Sequence, residues 1–437
     1  MFESVKNVFR VKEIREKLVF TFLMMVVIRF GSQLPVPGIN SAAFANWFNE
    51  NVGDASNLLN AFTGGSFLNM SILALNITPY ITSSIIMQLL TIAFPSLEEM
   101  QRDGEEGRKK MIKYTRWVTI GLATLEATAM TWGFRNNGYL MDKGIINCLT
   151  VIATLIAGSA FLMWIGEQIT VKGIGNGISI VLTINIVSRM PQDIYSLFNQ
   201  FVFGKKIAFA AVAVVIILAV ILAVTVLVIL LNDAERRIPV QYSQKIQGRR
   251  LVGAQASVLP LKVNTAGVMP IIFASSLMEF PVIISSLAGY KGTGIWSKVI
   301  RFLSSSYWCN PAYPVYTIGM FVYIALLIFF AYFYTSITFN PIEIADNMKK
   351  SGGFIPGIRP GKPTSEYLNK ILNSIIFIGA IGLTIIAVIP FFFRGIFNAS
   401  VSFGGTSLII VVSVVLETIK QIESMMAVRN YRGFLNE

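Results

Sequence analysis

One carboxylate lies deep in an apolar run. Glu126, in LATLEATAM, has no basic residue near it in the chain. A lone acid at membrane depth is costly unless it faces water or takes up a proton. Glu126 is therefore a functional candidate, either as a coupling-ion ligand in a transporter or as a gate residue in a channel. Little else could do covalent chemistry. The chain has no histidine, which removes imidazole acid–base catalysis and histidine metal ligation. Its two cysteines are Cys148, in an apolar run, and Cys309, in a connection. They are too few for a disulfide framework or a thiolate cluster. Asp54, Asp103, Asp142, Asp193, Asp233 and Asp346 all fall in connections, so paired membrane aspartates of a protease are missing. No nucleotide-binding motif, acyl-transfer constellation or metal site is present. The expectation is a protein that is not an enzyme and carries no metal and no cofactor.

The remaining reactive groups are guanidiniums on two basic connections. Residues 232–263 contain Ile238, Val240 and Tyr242 in alternation, which predicts a short β-ribbon, and Arg249 and Arg250 just after a turn at Gln247-Gly248. Residues 340–370 contain Pro356, Gly357, Pro360, Gly361 and Pro363 around Arg359. That composition predicts a stiff, non-helical tip. Two readings stand side by side. The charges could simply fix topology and touch anionic lipid headgroups, or they could dock a large cytoplasmic partner through carboxylates or phosphates. The rigid presentation of Arg359 favours docking, since topology alone does not require it.

The elements that position these groups are membrane spans. The chain is 437 residues long, 54% hydrophobic and 14% charged. About ten long apolar runs lie near 18–36, 76–95, 112–133, 145–166, 174–190, 207–231, 265–288, 315–338, 371–393 and 405–422. Each is near the ~20 residues that cross a bilayer as a helix. The amphipathic start, MFESVKNVFRVKEIREK, lacks the pattern of a removed signal peptide. Of the 36 Lys and Arg residues, 26 fall on the side that includes the N-terminus and nine on the other, with Arg29 inside the first span. The positive-inside rule puts both termini in the cytoplasm, as an even number of spans requires. Arg29 lies near the outer end of its span and can reach the headgroups, so it receives no role.

The second apolar stretch is broken. Residues 58–95 carry no charge but are interrupted by Gly64, Gly65, Asn69, Asn76 and Pro79. Irregular backbone at membrane depth is tolerated only where protein or a wet cavity surrounds it, so the chain is expected to enclose a path. Division after the fifth span gives halves 1–190 and 191–437. An odd number of spans per half would place the second upside down relative to the first, an arrangement that encloses a path at the shared interface. Ten helices without internal symmetry is the alternative. The expected fold is all-α: a polytopic membrane protein of about ten helices in two inverted five-helix halves around a central path.

Certain strings in this order resemble the SecY family of bacterial protein-translocation channel subunits, from about residue 10 to the end. They are LPVPGIN (34–40), FTGG (62–65), ITPYITSSIIMQLL (77–90), GEQITVKGIGNGISI (166–180), QGRRLVGAQASVLPLKVNTAGVMP (247–270), FNPIEIADNMKKSGGFIPGIRPG (339–361) and FGGTSLII (403–410). GIGNGISI is not a phosphate loop, since it lacks the lysine and a preceding strand. Ile77 and Ile81 are four apart and share one helix face, as do Ile178 and Leu182. The resemblance implies that the central path is an hourglass pore, and that these four, with Ile272 and Ile410, form a hydrophobic ring at its waist. It implies a plug at about 58–72, a short half-helix including Phe62, Gly64, Gly65 and Phe67. It further implies a lateral gate held by hydrogen bonds among Thr82, Glu126 and Asn264. The implied partners are SecE and SecG as membrane subunits, the SecA motor and the translating ribosome at Arg249, Arg250 and Arg359, and signal peptides and nascent chains within. The implied location is the bacterial plasma membrane. Apart from the resemblance, a secondary transporter for a small solute also fits broken helices and a buried acid.

Overall fold

A computed structural model describes residues 11–51, 63–203, 207–242, 245–247, 250–252, 256–287, 294–311, 313–397 and 405–433. Phe62, Arg249 and the plug residues 58–61 lie outside the described residues. Among the described residues, the α-helices run in order: α1 (Lys12–Gly31), α2 (Ser41–Asn51), α3 (Thr78–Ala93), α4 (Pro95–Arg102), α5 (Gly104–Asn137), α6 (Ile145–Lys172), α7 (Gly177–Phe201), α8 (Ile207–Asp233), α9 (Met269–Leu287), α10 (Ile295–Leu303), α11 (Ile318–Thr338), α12 (Pro341–Lys350), α13 (Lys362–Phe397) and α14 (Gly405–Gly433). The ten apolar runs fall on α1, α3, α5, α6, α7, α8, α9, α11, α13 and α14. Among the described residues, four stretches are long and apolar enough to cross a membrane by length and composition, or five if the α3–α4 pair is one broken span. The other helices in the set of ten are shorter or carry charged ends. The α3–α4 axis turns by 109° because Phe94, held extended at φ −118° and ψ 112°, precedes Pro95, which disfavours helical angles in its neighbour. The boundary expected at residue 190 falls inside α7, which continues through Pro191 to Phe201.

The expected ribbon in 232–263 is present and larger than its alternation implied. Strand β1 (Glu235–Tyr242) pairs antiparallel with β4 (Ala256–Lys262), Ile238 opposite Leu259 and Val240 opposite Ser257. Its far end also pairs with β5 (Gly353–Phe354), through Gln241 and Tyr242. Between β1 and β4, β2 (Lys245–Gln247) and β3 (Arg250–Val252) form a second ribbon. The two basic connections are thus one unit. Ile238, Val240, Leu261, Met348, Ile355 and Leu368 form its apolar core, with Ile238 and Val240 on the inward face that the period-two pattern predicts.

A buried turn, residues 173–177, joins α6 to α7. Lipid offers no hydrogen bonds, so buried backbone must find partners within the protein. The Gly173 N–H donates to the Ile169 carbonyl at 2.8 Å, and three further N–H groups of the turn donate to side chains. The Ile174 N–H donates to Thr21 Oγ1 on α1 at 3.1 Å, and the Gly175 N–H to Gln421 Oε1 on α14 at 2.6 Å. The Gly177 N–H donates to Thr170 Oγ1 at 2.9 Å. Asn176 caps α7, its Oδ1 accepting from the Ile178 and Ser179 N–H groups at 3.1 and 3.4 Å. The donors that could cradle a phosphate are therefore used to tie the first, sixth, seventh and last helices together. Gly177 is required for close approach, since a Cβ there would collide with the Gly166 carbonyl oxygen.

Substitution Gly177→Ala should push α6 and α7 apart and cost about 1–3 kcal/mol, read as a lowered thermal unfolding midpoint of the detergent-purified protein. Gly121→Ala, where a Cβ meets nothing within 4 Å, should be neutral or stabilising by up to about 1 kcal/mol.

Candidate functional site

Of the expected plug at about 58–72, the described residues are 63–72; Thr63 is helical, and the residues after it run mostly as turns that continue to residue 77. The cause is in the backbone. Gly64, Gly65, Met70 and Asn76 all have positive φ, at 63°, 84°, 45° and 53°, and such angles cannot propagate a right-handed helix. The segment is held by main-chain bonds to the LPVPGIN stretch: the Val36 N–H donates to the Met70 carbonyl at 2.8 Å and the Ile72 N–H to the Leu34 carbonyl at 2.9 Å. Phe67 and Met70 are buried with Phe44, Phe134 and Leu140 in a core of their own. The Phe44 ring meets Phe67 and Phe134 edge-on at 5.7 and 5.2 Å, a favoured aromatic geometry.

Two polar contacts fix the segment against spans. Arg29 Nη1 on α1 donates to the Gly64 carbonyl at 3.3 Å. Asn185 Nδ2 on α7 donates to Asn76 Oδ1 at 3.0 Å, with both residues buried. Arg29, given no role from sequence, is thus a tether; the available signal was an arginine inside an apolar run. Asn185 was missed because a single amide in a span carries no pattern.

Just beyond Asn76 the chain enters α3, and the side chains expected at the waist all belong to the large apolar core. Ile77 precedes α3 and Ile81 is in its first turn. Ile178 and Leu182 occupy the first turns of α7, Ile272 the start of α9 and Ile410 the second turn of α14. Five are buried in one connected apolar cluster, and Ile178, partly buried, packs against it. No member of the six is turned out to lipid.

The expected three-way gate cluster does not form. Asn264 Nδ2 donates to Asn232 Oδ1 at 2.8 Å, and Asn232 Nδ2 donates to Ser413 Oγ on α14 at 2.6 Å. The reason is the sheet register: the Val263 N–H donates to the Ala234 carbonyl at 2.8 Å, which sets Asn264 beside the end of α8. Glu126 keeps a buried Oε1 with no hydrogen-bond partner, and Thr82 stands partly buried on α3. The helices themselves do meet, since α9 packs against both α3 and α5. The bond that joins α3 to α5 is one residue away from the expected one, where Ser83 Oγ lies 2.7 Å from Thr119 Oγ1 and donates to the Thr115 carbonyl at 3.0 Å. Below it, Arg116 grips Glu167 of α6 through Nε and Nη2 at 2.9 and 2.6 Å.

Arg359 is exposed at the tip of its connection, and its carbonyl accepts from Thr364 Oγ1 at 2.8 Å. Arg250 opens β3. Across the described residues, no group of three or more His, Cys, Asp or Glu side chains could hold a metal.

Glu126→Leu removes a buried oxygen that lacks a partner and should raise stability by about 1–3 kcal/mol. Asn264→Ala leaves Asn232 Oδ1 without its donor and should lower stability by a similar amount. Thermal unfolding of the purified protein checks both, and a loss of stability in Glu126→Leu would contradict the geometry.

Residues 71–419 match the SecY family model. Over the full length of both chains, the sequence is 43% identical to a protein translocase subunit SecY of Bacillus subtilis strain 168 and 40% identical to one of Streptomyces scabiei. Among solved structures, a protein-conducting channel superposes with a TM-score of 0.63 at 19% identity, covering 94% of this chain and 92% of that one. Sec61 from a canine ribosome–channel complex does so with a TM-score of 0.62 at 18% identity, with the same coverage. At these identities the superpositions speak for the fold, a polytopic helical membrane channel. Matched over most of its length by the family model and end to end by its relatives, the chain belongs to the SecY family.

Proposed function

We propose that this protein is the protein-conducting subunit of a membrane translocase, passing unfolded secretory chains across the bilayer and releasing apolar segments sideways into it. The observation that carries this reading is the convergence of Ile77, Ile81, Ile178, Leu182, Ile272 and Ile410, from four helices, in one apolar cluster. A conduit for any sequence cannot offer a specific binding site. Aliphatic side chains yield around varied residues without holding them, and an empty apolar constriction excludes water and ions. A solute transporter would instead need polar groups converging at mid-membrane.

The other parts take roles around that waist. Residues 63–72, tethered by Arg29, act as the plug of the resting channel, together with Phe62. The contacts of α9 with α3 and α5 form the lateral gate, and the Ser83–Thr119 bond stiffens one side of it. Interhelical hydrogen bonds in membranes are weak, about 0.6 kcal/mol on average, so an arriving apolar signal segment can part them. Thr82 and Glu126 line the same seam, and Asn264 stands in the approach to α9. The driving energy comes from partners. Arg249, Arg250 and Arg359 form the cytoplasmic docking face for the SecA motor or a translating ribosome, and SecE and SecG complete the membrane complex. The excess of Lys and Arg on one side supports a reading with both termini in the cytoplasm, in a bacterial plasma membrane, with 1–190 and 191–437 as an inverted pair.

Vesicles containing this chain with its membrane subunits and an ATP-driven motor should protect a secretory precursor from added protease, indifferent to any small-solute gradient. Strict dependence on such a gradient would mean a transporter. Deleting residues 63–70 should raise resting ion conductance severalfold, and unchanged conductance would remove the plug from the account. Arg359→Glu should cut precursor translocation severalfold while leaving the protein inserted and abundant; normal translocation would refute docking at that tip.

A further inference from the structure

The connection between α9 and α11 contains α10, IWSKVIRFL, whose residues divide cleanly by face. At helical spacing Ile295, Trp296, Val299, Ile300, Phe302 and Leu303 share one arc, and Ser297, Lys298 and Arg301 occupy the opposite one. Among the described residues α10 has no buried side chain. Ile295 is 83% exposed and Trp296 48%. A helix of this kind facing water alone would leave a large apolar patch uncovered.

Three contacts hold it in place. Trp296 Nε1 donates to Ser285 Oγ near the end of α9 at 3.2 Å. Trp308 Nε1 donates to the Phe302 carbonyl at 3.0 Å. The Arg301 guanidinium stands 5.9 Å from the centre of the Tyr307 ring, within cation–π range.

Both flanking helices are spans, so their connection lies at one membrane surface. Exposed apolar side chains also stand on the flanking elements, at Leu277 on α9, Val315, and Ile318 and Phe321 on α11. An exposed apolar arc carrying an indole, with two cations on the opposite arc and spans on both sides, fits a bilayer interface. We propose that α10 lies in the plane of the membrane, its apolar arc in the acyl boundary and Lys298 and Arg301 toward phospholipid phosphates. It acts as a float that sets the depth of this end of α9, the helix that carries Ile272.

The test uses the assembled complex in vesicles of phosphatidylethanolamine and phosphatidylglycerol. In a chain with Cys148→Ala and Cys309→Ala, an environment-sensitive fluorophore is attached at Ile295→Cys or Lys298→Cys. Nitroxide placed shallow on the lipid chains should quench position 295 severalfold more than position 298, and Val299→Cys should behave like 295. Equal quenching at 295 and 298 overturns the proposal. A water-shielded but unquenched signal at 295 also overturns it, and means that a protein partner or a second copy covers this face.

Discussion

Buried backbone polar groups have no water to fall back on, and this chain buries irregular backbone among its helices. Regular helices satisfy themselves. The stretches at 63–77 and 173–177 do not, and the arrangement of the helices around them follows from how their donors and acceptors are met. In the second, Thr21, Thr170, Asn176 and Gln421 supply the partners, which fixes α1, α6, α7 and α14 to one point. In the first, Arg29 and the Leu34–Val36 backbone do so, and Asn185 holds the Asn76 side chain. Each satisfied group is also a positional constraint, because a buried group left unpaired costs about 1–3 kcal/mol.

The two stretches bracket the apolar waist. Ile77 directly follows the first and Ile178 directly follows the second, so the same contacts that satisfy irregular backbone aim the waist side chains. Small residues let the helices close: Gly177 meets the Gly166 carbonyl, and close backbone approach is what packs membrane helices when lipid is as apolar as leucine. The joint is therefore rigid, whereas the seam between α9 and the α3–α5 pair relies on side-chain packing. That contrast in strength is what a channel opening sideways requires.

Outside the bilayer a different physics applies. The sheet β4-β1-β5 and its core of Ile238, Val240, Leu261, Met348, Ile355 and Leu368 form a small water-facing domain assembled from two distant connections. It gives the Arg359 tip a firm base. It also reaches the membrane, because the register that pairs β1 with β4 continues to the Ala234–Val263 bond and so presents Asn264 to Asn232. The sheet is thereby linked to the segment that leads into α9.

The sequence by itself determined the helices of the membrane, because apolar length and the Lys/Arg imbalance are local and additive. It determined the β-ribbon, through the alternation of Ile238, Val240 and Tyr242, and the absence of a phosphate loop at GIGNGISI. With the resemblance it also named six aliphatic residues, five of them buried in the large apolar core and Ile178 packed against it. It did not determine the conformation of 63–77, where the positive φ of Met70 and Asn76 is imposed by neighbours, nor the tether at Arg29. The pairing of the two basic connections and the diversion of Asn264 to Asn232 were likewise decided only in three dimensions. Hydrogen-bond partners far apart in the chain leave no periodic trace along it, so a polar side chain in a span declares its importance in the sequence but not its partner.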